Sequence, residues 1–188
     1  MNKPPSPNPA KETKKVQAPA AQAPAAQAPS GPPTCCFVYG SLRPDDDSGQ
    51  VWTSSALEGL DGQRAVVSGF QLYKDRYASA VQSEEGEIVG WVMTADDNTL
   101  WKSKLENFDR IEGYNEDDLE NSLYIRIKTK AKLLSPKDCV GKPLGEENQI
   151  LDTFIYHRPN ASKDTPIKSG DWLQREGKDQ EEPGCTIF

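Results

Sequence analysis

At 188 residues, with a formal net charge of −7 and a pI near 4.9, the chain suits one folded domain and is too acidic for a general phosphate-backbone binder, which needs a basic stripe to release counterions. Its four cysteines, Cys35, Cys36, Cys139 and Cys185, have neither CxxC nor Cys/His ligand spacing, so neither a zinc site nor a disulfide framework is expected. No apolar run is long enough to cross a bilayer and the N-terminus lacks a signal-type apolar segment, which points to a cytoplasmic protein.

Residues 1–33 contain Pro, Ala, Gln and Lys with Val16 as the only large aliphatic side chain. Such a segment cannot bury enough surface to offset chain entropy, so a disordered tail is expected. The repeat Gln17-Ala18-Pro19-Ala20-Ala21, continued from Gln22 and Gln27, favours extended backbone, as in a tether. Cys35 to Tyr39 is apolar throughout, which suits a strand buried on both faces, and Gly40 ends it. Arg43 to Gly49, with Pro44 and three consecutive aspartates, is expected as a loop, and Val51 to Leu57 as a short helix or turn. Val66 to Tyr73 and Tyr77 to Gln82 form a hairpin pattern about Lys74-Asp75-Arg76. Glu84-Glu85-Gly86 is expected to turn the chain into a further strand, Glu87 to Met93.

Asp96, Asp97 or Asn98 can cap a helix over Thr99 to Ile111, in which Trp101, Leu105 and Phe108 recur at i, i+4 and i+7. After a polar loop, Leu123 to Leu134 alternates as a long strand, with Tyr124, Arg126 and Lys128 on one face and Ile125, Ile127 and Thr129 on the other. Ile150 to Tyr156 is the last core strand. A strand-rich order with one or two helices favours an α+β fold, a small mixed β-barrel or curled sheet flanked by helices, over a doubly wound one. The folded domain is expected over 34–175. The acidic tail 176–188 ends in Cys185-Thr186-Ile187-Phe188, which fits a prenylation box of geranylgeranyl type and allows peripheral membrane association through Cys185.

Two distant stretches carry candidate chemistry. Tyr39-Gly40-Ser41-Leu42 follows a buried strand, and its glycine turn can present free backbone N–H groups to a ligand. Glu112 sits at a helix end just before Gly113, where the partial negative charge of the helix terminus raises a carboxyl pKa. A cradle of amides with one acid/base group suffices for a rearrangement that needs no cofactor or metal. From spacing alone, Gly40 serves equally well as a plain turn glycine and Glu112 as a solvent-facing helix end. Tyr39 and Tyr156 are by default core aromatics with a polar tip, and Arg126 is a structural ion-pair partner; a thiol-imidazole pair of Cys36 with His157 is conceivable, but nothing in the sequence orients the histidine.

Taken in order, Tyr39-Gly40-Ser41-Leu42, Asp109 to Glu112-Gly113-Tyr114, Tyr124-Ile125-Arg126 and Gly170-Asp171-Trp172 resemble the gamma-glutamylcyclotransferase-like proteins, especially the AIG2-like and gamma-glutamylamine cyclotransferase branch, over roughly residues 35–173. The resemblance implies a small barrel flanked by helices. It also implies an enzyme that cyclises a small-molecule gamma-glutamyl amine or amide to 5-oxoproline, with Glu112 as acid/base, the turn of Tyr39, Gly40, Ser41 and Leu42 around the substrate's amino-acid end, and Tyr156 in the pocket. Phe108 stands where the family has Leu, and Tyr77-Ala78-Ser79-Ala80 lacks a proline common there. The alternative within the same fold is a non-catalytic binding or regulatory module held by a prenyl anchor.

Overall fold

A computed structural model of the chain describes Met1 and residues 33–46 and 51–176. The expectations for the 1–33 and 176–188 tails, and for Cys185 with its prenylation box, fall almost wholly outside these residues. Among the described residues no helix is long and apolar enough to cross a membrane.

All the elements belong to the unit Pro32–Phe188. They are β1 (Cys35–Val38), α1 (Val51–Leu57), β2 (Asp61–Lys74), β3 (Ala78–Thr94), α2 (Asn98–Ile111), β4 (Ile125–Leu133), β5 (Cys139–Val140), β6 (Ile150–His157) and a short 3-10 helix, Trp172–Gln174. The sheet runs β3-β1-β6-β4-β2-β5, and a further β2–β3 pairing closes the first five strands into a mixed barrel. Among the described strands β1 and β6 pair in parallel and the other strand pairings are antiparallel; an isolated parallel bridge joins Val89 to Asp171. The chain thus has the α+β barrel flanked by helices that its element order suggests.

Strand alternation divides the core in two. Phe37, Val67, Leu72, Ile88, Val92, Leu133 and Ile155 fill the barrel, and Trp172 from the 3-10 helix joins the same buried cluster. Cys36, Val38, Trp91, Met93 and Phe154 point outward and are covered by Trp101 and Phe108 of α2 and Ala56 of α1. β1 therefore has both faces buried, which accounts for its unbroken apolar run. α2 begins where Asp97 accepts the Leu100 N–H at 2.7 Å, one of the three expected caps.

One strand expectation is corrected. Glu84-Glu85-Gly86 does not turn the chain between two strands; Ala78–Thr94 is a single 17-residue strand. Its partner shifts register there, since Ser68 pairs with Glu87 but Phe70 pairs with Gln82, so residues 83–86 bulge opposite Gly69. The two glycines serve this bulge differently. Gly69 has φ +90° with open space around it, whereas a Cβ on Gly86 would lie 2.2 Å from the Phe70 carbonyl oxygen. Gly86→Ala is therefore expected to destabilise by about 3 kcal/mol through a backbone clash and Gly69→Ala by about 1 kcal/mol through its dihedral alone. Denaturant midpoints of the two variants check the order, and equal effects would contradict the bulge geometry.

Candidate active site

The turn after β1 is fixed by packing and by charge. A Cβ on Gly40 would meet the Ala78 Cβ at 2.8 Å, so only glycine lets the turn lie against β3. The turn closes with the Arg43 N–H donating to the Gly40 carbonyl at 3.0 Å. Arg43 has no exposed side-chain surface, and its guanidinium is shared between Asp171 Oδ1 at 2.5 Å and both oxygens of Asp45 at 2.8 Å. Asp171 also accepts the Leu173 N–H at 3.0 Å and so caps the 3-10 helix. Arg43, expected as part of a plain loop, is the staple of the turn. The amides of Gly40, Ser41 and Leu42 donate to no acceptor among the described residues.

At the other end of the site, α2 stops in a left-handed cap. Gly113 has φ +61°, its N–H turns back to the Arg110 carbonyl, and the Tyr114 N–H reaches the Asp109 carbonyl at 2.8 Å. Glu112 is the cap residue. It keeps part of its surface open to the cavity it lines. Its carboxylate makes no hydrogen bond or ion pair among the described residues. Burial, which disfavours the ionised form, raises the Glu112 carboxyl from its ordinary 4.5 to about 7. The raise expected from the helix end is thus present, with desolvation as its cause.

These stretches meet in one cavity of about 430 Å³. Tyr39, Gly40, Ser41, Leu42, Glu112 and Tyr156, the six candidate site residues within the described chain, all line it. The tyrosine hydroxyls are already engaged. Tyr39 donates to the Tyr156 carbonyl at 2.6 Å and accepts the Ala80 N–H at 3.2 Å. Tyr156 donates to Asp109 Oδ1 at 2.6 Å. Both phenols are raised by burial and stay neutral.

Asp109 also takes Arg126 Nη1 on Oδ1 at 2.7 Å and on Oδ2 at 2.5 Å, so Arg126 is the ion-pair partner expected of it. Burial outweighs these partners and raises the Asp109 carboxyl. The Cys36 and His157 pairing does not form. Cys36 faces the helices, whereas His157 lies edge-on to Phe70 of the barrel interior, on the opposite face of the sheet.

Sequence reasoning passed over several wall residues. Tyr124, whose hydroxyl donates to the Ala78 carbonyl at 2.8 Å, lines the cavity, as do Asn107 and Arg110. Tyr124 and Arg126 share a strand face in the alternation, which was the available signal. Tyr77 and Ala78, where the family's proline is missing, form part of the same wall. No group of three or more His, Cys, Asp or Glu among the described residues is placed to hold a metal ion.

A profile of the family described as gamma-glutamyl cyclotransferase, AIG2-like, matches residues 36–174. The chain belongs to this family. The match spans every element from β1 to the 3-10 helix, and with them both halves of the cavity. Solved structures similar to this AIG2-like chain include an uncharacterized protein from Pyrococcus horikoshii, at 20% identity, covering 74% of this chain and 89% of that one with a TM-score of 0.47. A gamma-glutamyl cyclotransferase is similar at 17% identity, with 68% of each chain covered and a TM-score of 0.46. An AIG2-like protein from Mus musculus is similar at 13% identity, covering 84% of this chain and 99% of that one with a TM-score of 0.48. No curated protein matches the sequence.

Two outcomes are expected from this geometry. Arg43→Leu strands two carboxylates, one of them buried, and should destabilise by about 3–5 kcal/mol; a loss under 1 kcal/mol in denaturant titration would show the staple to be dispensable. Glu112 acts in the opposite sense. Between pH 4.5 and about 7 the folded chain holds a proton that the unfolded chain has released, so stability falls as pH rises across that window. Glu112→Gln should be more stable than the parent by up to about 3 kcal/mol at pH 8 and equal to it at pH 4. The same gain at both pH values would contradict the raised carboxyl.

Proposed function

We propose that this chain cyclises gamma-glutamyl amines or amides to 5-oxoproline and releases the free amine. In this reading Glu112 is the general acid/base, and Tyr39, Gly40, Ser41, Leu42 and Tyr156 form the substrate cradle. One observation carries it: an unpaired carboxylate raised to about 7 and unpaired backbone amides line the same cavity.

The reaction is an internal acyl transfer. The substrate's own alpha-amine attacks its gamma-carbonyl carbon, so the site has chiefly to hold a folded near-attack conformer, which can supply about 7–11 kcal/mol in well-oriented cases. The amine cannot attack as ammonium. Glu112 as carboxylate removes that proton, the oxygen of the gamma-carbonyl takes up negative charge as the new C–N bond forms, and Glu112 returns the proton to the departing nitrogen as the old C–N bond breaks. The carboxylate so regenerated takes the second proton from the ring nitrogen and passes it to the released amine, which leaves as ammonium. A group that titrates near neutrality suits both halves of this exchange, worth about 10²–10⁴-fold in rate. The amides of the turn supply donors for the oxyanion without any side chain. No electrons are gained or lost, so the chemistry calls on no redox cofactor.

Purified protein offered gamma-glutamyl amines and gamma-glutamyl amino acids should release 5-oxoproline. Glu112→Gln should lower kcat at least about 100-fold while remaining folded. Because the base must be ionised, kcat/KM should rise with pH through about 7. Absence of 5-oxoproline from the whole panel would overturn the proposal.

A further inference from the structure

The cavity has a buried floor and an open mouth. Tyr39 and Leu42, which bracket the turn after β1, are buried, as is Tyr156, whereas Ser55, Arg110 and Leu123 line the same space and are exposed. The substrate cradle thus belongs to the floor. A gamma-glutamyl group held there by its amino-acid end points its departing amine towards the mouth, because the amide that breaks lies at the far end of the glutamyl side chain.

Charge at the mouth comes from α2. Among the residues that line the cavity the charged ones are Glu112 and Arg110. They stand two positions apart, a spacing at which helical side chains do not face each other, so the cation and the carboxylate can meet a ligand separately. Arg110 makes one side-chain hydrogen bond among the described residues, giving Nη2 to Asn107 Oδ1 at 2.6 Å. Asn107 lies one turn earlier and lines the cavity too. This contact steadies the guanidinium and leaves most of its five N–H donors open. A further turn back, Lys104 donates to the Ser55 carbonyl at 2.9 Å and fastens α2 to α1 at that wall. A basic residue in the last helical turn also offsets the negative end of the helix, but that role does not require a side chain that lines the cavity.

We propose that Arg110 is a specificity-determining residue that reads a negative charge on the departing amine, so that the cavity takes gamma-glutamyl compounds whose amine carries a carboxylate in preference to those whose amine is uncharged or cationic. The guanidinium fork matches a carboxylate through two parallel hydrogen bonds. A carboxamide of the same shape is a weaker acceptor, and an ammonium is repelled. Arg110 touches only the part of the substrate that leaves and takes no part in bond making, so its effect falls on KM more than on kcat.

The inference rests on the cyclotransferase reading for turnover, but binding tests it separately. The probes are gamma-glutamylglycine and gamma-glutamylglycinamide, which share one shape and differ by one charge at the departing end. They are titrated calorimetrically into the full chain carrying Glu112→Gln, so that neither is consumed. The carboxylate compound should bind at least about fivefold more tightly, with the margin shrinking as salt is raised. Arg110→Gln in the same host should bring the ratio to about one, Arg110→Lys should keep a smaller preference, and Arg110→Glu should reverse it. A helix-end role alone would alter stability and leave the ratio untouched.

Equal affinities in the Glu112→Gln host, or a preference that survives Arg110→Gln, overturn the proposal. So does an equal loss for both compounds, which would place Arg110 on the glutamyl carboxylate that they share. Should the Arg110 variants fail to fold, the salt series decides, and a preference indifferent to salt overturns the idea. Binding of neither compound overturns this proposal and the cyclotransferase reading together. If the preference depends on Arg110 while the parent releases no 5-oxoproline, the cyclotransferase reading alone fails; if 5-oxoproline forms without the preference, only the role of Arg110 fails.

Discussion

A guanidinium with no exposed surface has to be surrounded by acceptors, and Arg43 finds them at the two extremes of the folded chain. Asp45 is two residues away and Asp171 lies 128 residues on. Removing an ion of this size from water costs several kcal/mol, which only close carboxylates offset. The arrangement is therefore nearly all-or-none. With it in place, the turn after β1 is pinned, the 3-10 helix is capped by the same aspartate, and Trp172 of that helix joins the buried cluster of the barrel. The free amides of Gly40 to Leu42 sit on top of this staple, which is how a turn short of regular hydrogen bonds keeps one shape.

The two sides of the cavity are stiffened by different means. On the β1 side the restraints are ionic and steric, through Arg43 and the close approach of Gly40 to Ala78. On the α2 side they are a helix cap and the Asp109–Arg126–Tyr156 cluster. Glu112 stands between these restraints without a partner of its own. A carboxylate left unpaired in a half-buried place lowers stability above its ordinary pKa, and such a cost is tolerated where the group has work to do. The tyrosines that line the same space spend their hydroxyls on backbone and on Asp109, so their contribution to a ligand is mainly shape and apolar surface.

Local pattern was enough for β1, α2, β4 and the turn-then-glutamate pairing, because each of these is written in neighbouring residues. The apolar run of Cys35 to Tyr39, the i, i+4, i+7 spacing of α2 and the Glu112-Gly113 ending need no distant information. What could not be seen depended on contacts far along the chain. Glu84-Glu85-Gly86 has the composition of a turn, and only the Phe70 backbone crossing above Gly86 shows that glycine is there for close approach. Arg43 lies among aspartates and a proline that signal a loop, while its deciding partner lies in the last motif of the domain. Tyr124 has the alternation of a strand residue, and nothing nearby says that its face looks onto a cavity roofed by α2.

The parallel pairing of β1 with β6 has a kinetic side. The first and last barrel strands are neighbours, the Tyr39 hydroxyl bonds to a carbonyl 117 residues later, and the Arg43 staple spans more still. Contacts this distant in sequence close late, because the entropy of a long loop must be overcome before any of them forms. During synthesis β1 leaves the ribosome among the first elements and stays without its parallel partner until nearly the whole domain has followed. Its other edge pairs with β3, which is made well before β6, so the edge facing β6 is the one left open during that time. Asp45 and Asp46, which follow the strand seven and eight residues on, keep charge close to it in the sequence.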